Sequence, residues 1–422
     1  MKQSRHSTAP TVLTRRTLGA GIAATTALAL AACGGGGGGP ETDDSAGDGT
    51  TLVIWADETQ GPVLKNAVDA VKADYGLDFE VKEYAEDLQE NYLNAVEQGN
   101  GPDIVVGAHD WAGAVVSAGG AEALHLDTAQ TDALNPASVS AFTMDGQLYG
   151  IPYAVENLGL FRNTELAPDE PAAFEDLIAD AEKAGTERSL VVQQGEDGDP
   201  YHGYPIYSSM GGYLFGYDPD EGFDAADIGI DSEGGVAALE KFAELGEEGV
   251  LSTSVSSENA VDLFVKGEAP YMITGPWSVG AVTEAGVDFE VGAIPGFEGE
   301  DPAAPFLGAQ GFYVNPDGEN KASAVDFATR ALFDEAFLDI VAQDGGREPA
   351  HLNAAAAFTR DNAVNAGFAA AGENSLPMPN IPAMGAVWEP LGRAMADCIN
   401  GNTTGREAAE TAAKTVRDEV EG

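Results

Sequence analysis

Apolar and polar positions alternate in blocks from Thr51 onward. Leu52, Val53, Ile54 and Trp55 form a short apolar run that predicts a buried strand. In the following segment Val63, Leu64, Ala67, Val68, Val71 and Tyr75 recur at helical spacing, with a stop at Gly76. FEVKEY (79–84) reads as a strand, 87–98 as a helix and DIVVG (103–107) as a strand. This alternation predicts an open, mostly parallel sheet with helices on both faces. Ligands of such sheets sit beyond the carboxyl ends of the strands, so the loops after Trp55 and after Gly107 should open on one crevice. SLVVQ (189–193), APYMITG (269–275) and FEVGAIPG (289–296) predict further strands, and 234–248 a helix. From residue 320 onward the chain reads as mainly helical and Ala-rich, and it shows neither a repeat period nor a coiled coil.

The first fifty residues do not fit this pattern. Lys2, Arg5, Arg15 and Arg16 precede any acid, an uncharged stretch runs from Thr17 to Ala32, and Cys33 follows. A basic start, a short apolar core and small residues at the cut predict a secretory signal over 1–32. The apolar stretch is too short for a comfortable membrane span. LAAC (30–33) looks like a lipoprotein signal box with Cys33 as the lipidated first residue of the mature chain, and TRRTL (14–18) resembles a twin-arginine export signal. Residues 33–49 then read as a flexible, Gly-rich acidic tether. With Cys33 acylated, Cys398 stands alone and no internal disulfide forms.

Charge narrows the partners. Acids outnumber bases 70 to 20, a formal net charge of −50, which excludes the basic patches that nucleic acid requires. The length of 422 residues predicts two or three domains. The five histidines are scattered without metal-ligand spacing, and there is no CxxC, HExxH, phosphate-cradling loop or GxSxG elbow. Neither cofactor nor metal nor catalytic residue is therefore expected. A glycosidase needs only two carboxylates, and 70 acids offer many pairs without selecting one.

LVIW (52–55), GPDIVVGAHD (101–110), GQLYGIPYAVENLGLFRN (146–163), DIGID (227–231), LFVKGEAPYMITGPWSVG (263–280) and MPNIPAMGAVW (378–388) resemble the extracellular solute-binding proteins of ABC sugar importers. Within that family the resemblance is nearest to the maltose/maltodextrin-binding proteins, and it runs from Leu52 to Val420. It implies an α/β fold of two lobes, each a mostly parallel sheet flanked by helices, with a ligand cleft at the hinge. Lobe one would be 50–154 plus 312–357 and lobe two 159–306 plus 365–422, with crossings near 155–158, 307–311 and 358–364. It also implies an oligosaccharide ligand, permease subunits as partners, a monomer, and lipid anchoring at the outer face of the cell membrane.

A sugar offers hydroxyls around its edge and C–H groups above and below its ring. Carboxylates accept charge-assisted hydrogen bonds from hydroxyls, and aromatic rings cover the apolar faces. By the resemblance, Asp110 and Glu156 are acceptors, and Tyr201, Trp277 and Trp388 are stacking rings, with Met378 as a wall. Asp199 is a weaker acceptor candidate, and His109 and Tyr153 are read as structural. The chain departs from the maltodextrin-binding pattern in places. Gly107 stands where that pattern has a stacking Trp, and Trp111, four residues on, offers an indole instead. Asp57, Glu58, Thr59 and Gln60, also expected to contact the ligand, with Asp57 and Glu58 as hydroxyl acceptors, fill a loop that elsewhere carries a Lys; Asp87 also replaces a Lys, and Glu389 replaces a Tyr. A different oligosaccharide, an extracellular carbohydrate-active enzyme and an adhesive surface lipoprotein stand as alternatives.

Overall fold

A computed structural model describes residues 49–218, 222–360 and 362–421. The expected signal peptide, Cys33 and nearly all of the expected tether lie outside the described residues.

The first sheet begins as the apolar runs predict. Thr51–Asp57 pairs in parallel with Asp78–Tyr84 on one side and Ile104–Ala108 on the other. The helix Gly61–Tyr75 joins the first pair. Pro62 suits its first turn, where backbone N–H groups lack helical partners. Gly76, at φ 64, closes it with a left-handed cap whose N–H donates to the Lys72 carbonyl. Leu64, Ala67, Val68 and Val71 are the helix positions it buries.

Beyond Ile104–Ala108 the parallel expectation fails. Phe306–Val314 runs antiparallel to it, Ile151–Glu156 runs antiparallel to Phe306–Val314, and Glu348–Pro349 closes that edge, again antiparallel. The second sheet has the order Phe289–Gly292, Gly159–Asn163, Tyr271–Thr274, Leu190–Val192, and only its last pair is parallel. The physical reason is connectivity. Ile151–Glu156 runs through Asn157 and Leu158 straight into Gly159–Asn163, so one extended segment serves both sheets. Its direction in each sheet follows from that passage, not from a helical crossover. Phe306–Val314 lies beside it: Phe306 and Leu307 pair with Leu376 and Pro377, and from Gly308, opposite Glu156, the strand joins the first sheet.

Each sheet has its own core. Leu52, Ile54, Val68, Ile104, Phe312 and Phe327 are buried in one; Tyr204, Leu239, Phe242, Phe306, Met395 and Val416 are buried in the other. Each fully buried side chain of this size contributes about 1.5–3 kcal/mol, so each sheet is anchored by its own packing. Cys398 is a buried free thiol of the second core, and burial pushes it up to about 12.

The two sheets repeat one local device. Ile104–Ala108 ends in a single 3₁₀ turn, His109–Trp111, followed by the short helix Ala112–Ser117. Tyr271–Thr274 ends in the 3₁₀ turn Pro276–Ser278, followed by Val279–Glu284. Each turn carries one tryptophan just beyond the carboxyl end of a strand, where an α/β sheet meets its ligands.

Candidate functional site

The first loop keeps its polar groups for itself. The opening strand runs through Trp55 to Asp57, further than the apolar run suggests. Asp57 Oδ1 accepts from the Thr59 N–H at 2.8 Å, the Thr59 hydroxyl at 2.7 Å and the Gln60 N–H at 2.7 Å. These bonds form because an aspartate two or three residues ahead of free N–H groups closes a local turn. Glu58 and Thr59 stand exposed at the rim.

Gln60 points inward, 3% exposed, and starts a buried polar chain. Its Nε2 donates to Asp57 Oδ2 at 3.1 Å and to Gln310 Oε1 at 3.2 Å, and its Oε1 accepts from the Tyr153 hydroxyl. Gln310 Nε2 donates to Glu156 Oε1 at 2.8 Å, and Arg347 Nε donates to Glu156 Oε2. Glu156 and Arg347 are each 8% exposed at the side chain, so this is a buried ion pair. Burial at low dielectric makes such a network rigid when its groups are satisfied. Glu156 sits where the chain leaves one sheet for the other. Gly308 faces it, and a Cβ there would lie 3.1 Å from Glu156 Cγ.

Asp110 is placed differently. Its Oδ1 is sealed from solvent and has no hydrogen-bond partner. Burial pushes its carboxyl up to about 7, and the negative charge of Glu156 adds to the shift. Its neighbour His109 is structural: the Ala309 N–H donates to Nδ1 at 3.0 Å, so the Nε2 proton goes to the Met378 carbonyl, also at 3.0 Å. Burial lowers the basicity of this imidazole.

The second sheet supplies rings. Asp199 caps the helix Pro200–Ser209 and holds His202 Nδ1 at 2.8 Å, which fixes the first turn carrying Tyr201. The Tyr201 hydroxyl is buried and without a partner. Burial raises it well above its usual range, and Glu156, Asp199 and Asp110 push in the same direction, whereas Arg347 opposes them. Tyr201 is thus within electrostatic range of Glu156, Asp110 and Arg347. Its ring centroid lies 6.2 Å from that of Trp277 and 6.3 Å from that of Phe306; Phe306 is in turn 6.5 Å from Trp388. Trp277 is 36% exposed, its indole lying over Gly275, where a Cβ would come within 2.2 Å of it.

The structure thus brings Asp110, Glu156, Tyr201 and Trp277 together, with Trp388 reached through Phe306. Trp111 fills the space that Gly107 leaves: a Cβ on Gly107 would lie 2.2 Å from its indole. Met378 is 4% exposed within the second core and presents its carbonyl to His109, so packing accounts for it. Sequence reasoning did not reach Gln310 or Arg347. Gln310 had a signal, a lone amide inside the apolar run FLGAQGFYV (306–314). Arg347 had none, because its partner is 191 residues away. Two unpartnered buried oxygens beside an open indole form a surface that accepts or exchanges hydroxyl hydrogen bonds and covers an apolar face.

Comparison with known proteins agrees with this chemistry. The family described as bacterial extracellular solute-binding protein matches residues 66–366. A galactooligosaccharide-binding protein of Bacillus subtilis (strain 168) is 26% identical, over 89% of this chain and 91% of its own length. A maltodextrin-binding protein of the same organism is 26% identical, over 76% and 78%. A maltooligosaccharide ABC transporter solute-binding lipoprotein of Streptococcus pneumoniae (strain ATCC BAA-255 / R6) is 25% identical, over 90% of each chain.

Proposed function

The chain belongs to the bacterial extracellular solute-binding proteins, and from that premise we propose that it captures a maltodextrin-type oligosaccharide and delivers it to the permease of an ABC importer. The reading rests on one observation above all: Asp110 Oδ1 and the Tyr201 hydroxyl are buried without partners. Buried polar groups are ordinarily hydrogen-bonded, and a sugar's hydroxyls supply what is missing here while Trp277 covers a ring face. Asp110, Glu156, Tyr201, Trp277 and Trp388 form the centre of the site in this reading, Trp111 and the 57–60 loop its rim. The protein binds and releases its ligand unchanged, as a binding protein rather than an enzyme.

Lobe one is assigned to 50–154 plus 312–357 and lobe two to 159–306 plus 365–422, with crossings near 155–158, 307–311 and 358–364. The two separate cores support this division, and so does the passage of the chain between sheets at Asn157 and Leu158. The lobes hinge shut over the sugar. A galactooligosaccharide is the second reading, favoured by the relative of that name, which matches over 89% of this chain. Thermal melts with a maltodextrin ladder and with galactooligosaccharides decide between them. The true ligand at about 100 times its Kd should stabilise the protein by about 2.7 kcal/mol. Stabilisation by neither series removes the oligosaccharide reading.

The lipid anchor belongs to the same proposal. A relative is named as a lipoprotein, LAAC ends at Cys33, and no helix among the described residues is long and apolar enough to cross a membrane. Cys33→Ser should move the protein from the membrane fraction to the medium. Retention of the Ser variant on membranes after a high-salt wash counts against lipidation.

A further inference from the structure

We propose that Arg347 is a positioning residue of the sugar site: it supplies the counter-charge of Glu156 and aims that carboxylate across the cleft at the ligand. The inference rests on the oligosaccharide reading above. Glu156 stands at the junction of the two sheets, and both of its oxygens are held from the first-sheet side, Oε1 by Gln310 and Oε2 by Arg347. Each carboxylate oxygen accepts more than one hydrogen bond, so Glu156 retains acceptor capacity on its open side. Arg347 follows Gly346, whose φ of 64 turns the chain before Glu348–Pro349 pairs with Val155 and Ala154. That edge strand places the guanidinium beside Glu156. The charged and titratable groups around the pair are Asp57, Asp110, Tyr153, Tyr201 and His109, together with Glu348, which lines the same cavity as Glu156 and whose carboxyl is raised by burial. Arg347 is the one permanent cation among them. The acids that act on it are Glu156 and Asp57, and Glu156 in turn repels Asp110, so its positive charge offsets the gathering of negative groups in one buried site.

A purely structural ion pair and a positioning pair differ in what pH does to binding. In Arg347→Met the Glu156 carboxyl stays buried without a counter-charge, and such a group takes up a proton in preference to remaining charged. Arg347→Lys keeps a cation on the same strand. The experiment measures oligosaccharide affinity of the mature chain from pH 5.5 to 9 by calorimetry, for wild type, Arg347→Met and Arg347→Lys. The readout is the ratio of variant to parent affinity at each pH, measured also in an Asp110→Asn background so that the titration of Asp110, which the charge of Glu156 influences, does not enter. For Arg347→Met the ratio should be down about tenfold or more at neutral pH, one proton uptake's worth, and should recover toward pH 9. For Arg347→Lys the ratio should be independent of pH. A ratio for Arg347→Met near one, or depressed equally at every pH, overturns the proposal. If Arg347→Met does not fold, Arg347→Gln, neutral but able to hydrogen-bond Glu156, replaces it under the same criteria. The sugar-free melt keeps the two levels apart. Protonated Glu156 has a folded-state proton affinity above its unfolded one, so the Met variant should lose stability relative to wild type as pH rises. That loss, seen when no oligosaccharide binds even the wild type, would retain the pair and discard the ligand.

Discussion

Trp277→Ala should lose about 2 kcal/mol or more of sugar binding, roughly thirtyfold in affinity, with little change in the sugar-free melt. The indole is 36% exposed and rests on Gly275, so its outer face meets solvent when no ligand is present. It belongs to neither core, and its ring neighbours are Tyr201 at 6.2 Å and His202 at 6.0 Å. A sugar ring placed over that face removes apolar area from water on both partners, and truncation forfeits the gain only in the complex. The competing account makes Trp277 a packing residue, in which case alanine costs about 3–5 kcal/mol of stability. Calorimetric titration and sugar-free melting of the same variant separate the two. A weakened titration with a near-native melt assigns the indole to the ligand, and a melt lowered by many degrees assigns it to the fold.

What could be read from the chain beforehand was what local periodicity carries. The strand at Leu52–Trp55, of which Leu52 and Ile54 are buried and Val53 and Trp55 half-buried, the helix positions Leu64 to Val71 and the DIVVG strand lie where their patterns put them. Strand direction beyond them did not follow, because it is set by the passage of Ile151–Asn163 from one sheet into the other. The site divides in the same way. Asp110, Glu156, Tyr201 and Trp277 were expected from the family resemblance, since their residue types alone do not single them out among 70 acids and the other rings. Asp57 and Gln60 looked like the same kind of residue, yet the acceptors of Asp57 are taken up by a turn, and Gln60 donates to Gln310 and accepts from the Tyr153 hydroxyl. A sequence shows which groups are polar. It does not show which of them the fold has already satisfied. Gln310 and Arg347 were missed for the converse reason, since their importance lies in partners 154 and 191 residues away.

Lowering the pH should draw the sugar-free protein toward its closed form, and Asp110 should be the group responsible. In the arrangement described, Asp110 Oδ1 is sealed without a partner and the carboxyl is pushed up to about 7. Under the proposed hinge motion, opening returns water to the carboxylate, whose ordinary value is about 3.9. The closed form thus binds the proton more tightly than the open one. By linkage, falling pH favours the closed form, with an effect that begins below pH 7 and saturates near 4. Each unit in that window multiplies the closed-to-open ratio by up to about ten. Between pH 8 and pH 5 the shift is therefore on the order of a hundredfold, about 2.7 kcal/mol. Small-angle scattering should show a smaller radius of gyration at pH 5 than at pH 8 without sugar. With 70 acids in the chain, general charge loss also contracts the molecule, and Asp110→Asn isolates the specific part. The amide is neutral at every pH, so this variant should be compact already at pH 8 and change little on acidification. Equal radii for wild type and Asp110→Asn at pH 8, or equal contraction of both at pH 5, would show that Asp110 does not govern closure. If it does, sugar and proton are alternative partners for one orphaned oxygen. At neutral pH, hydroxyl hydrogen bonds supply the partner that lets the cleft close around a charged carboxylate.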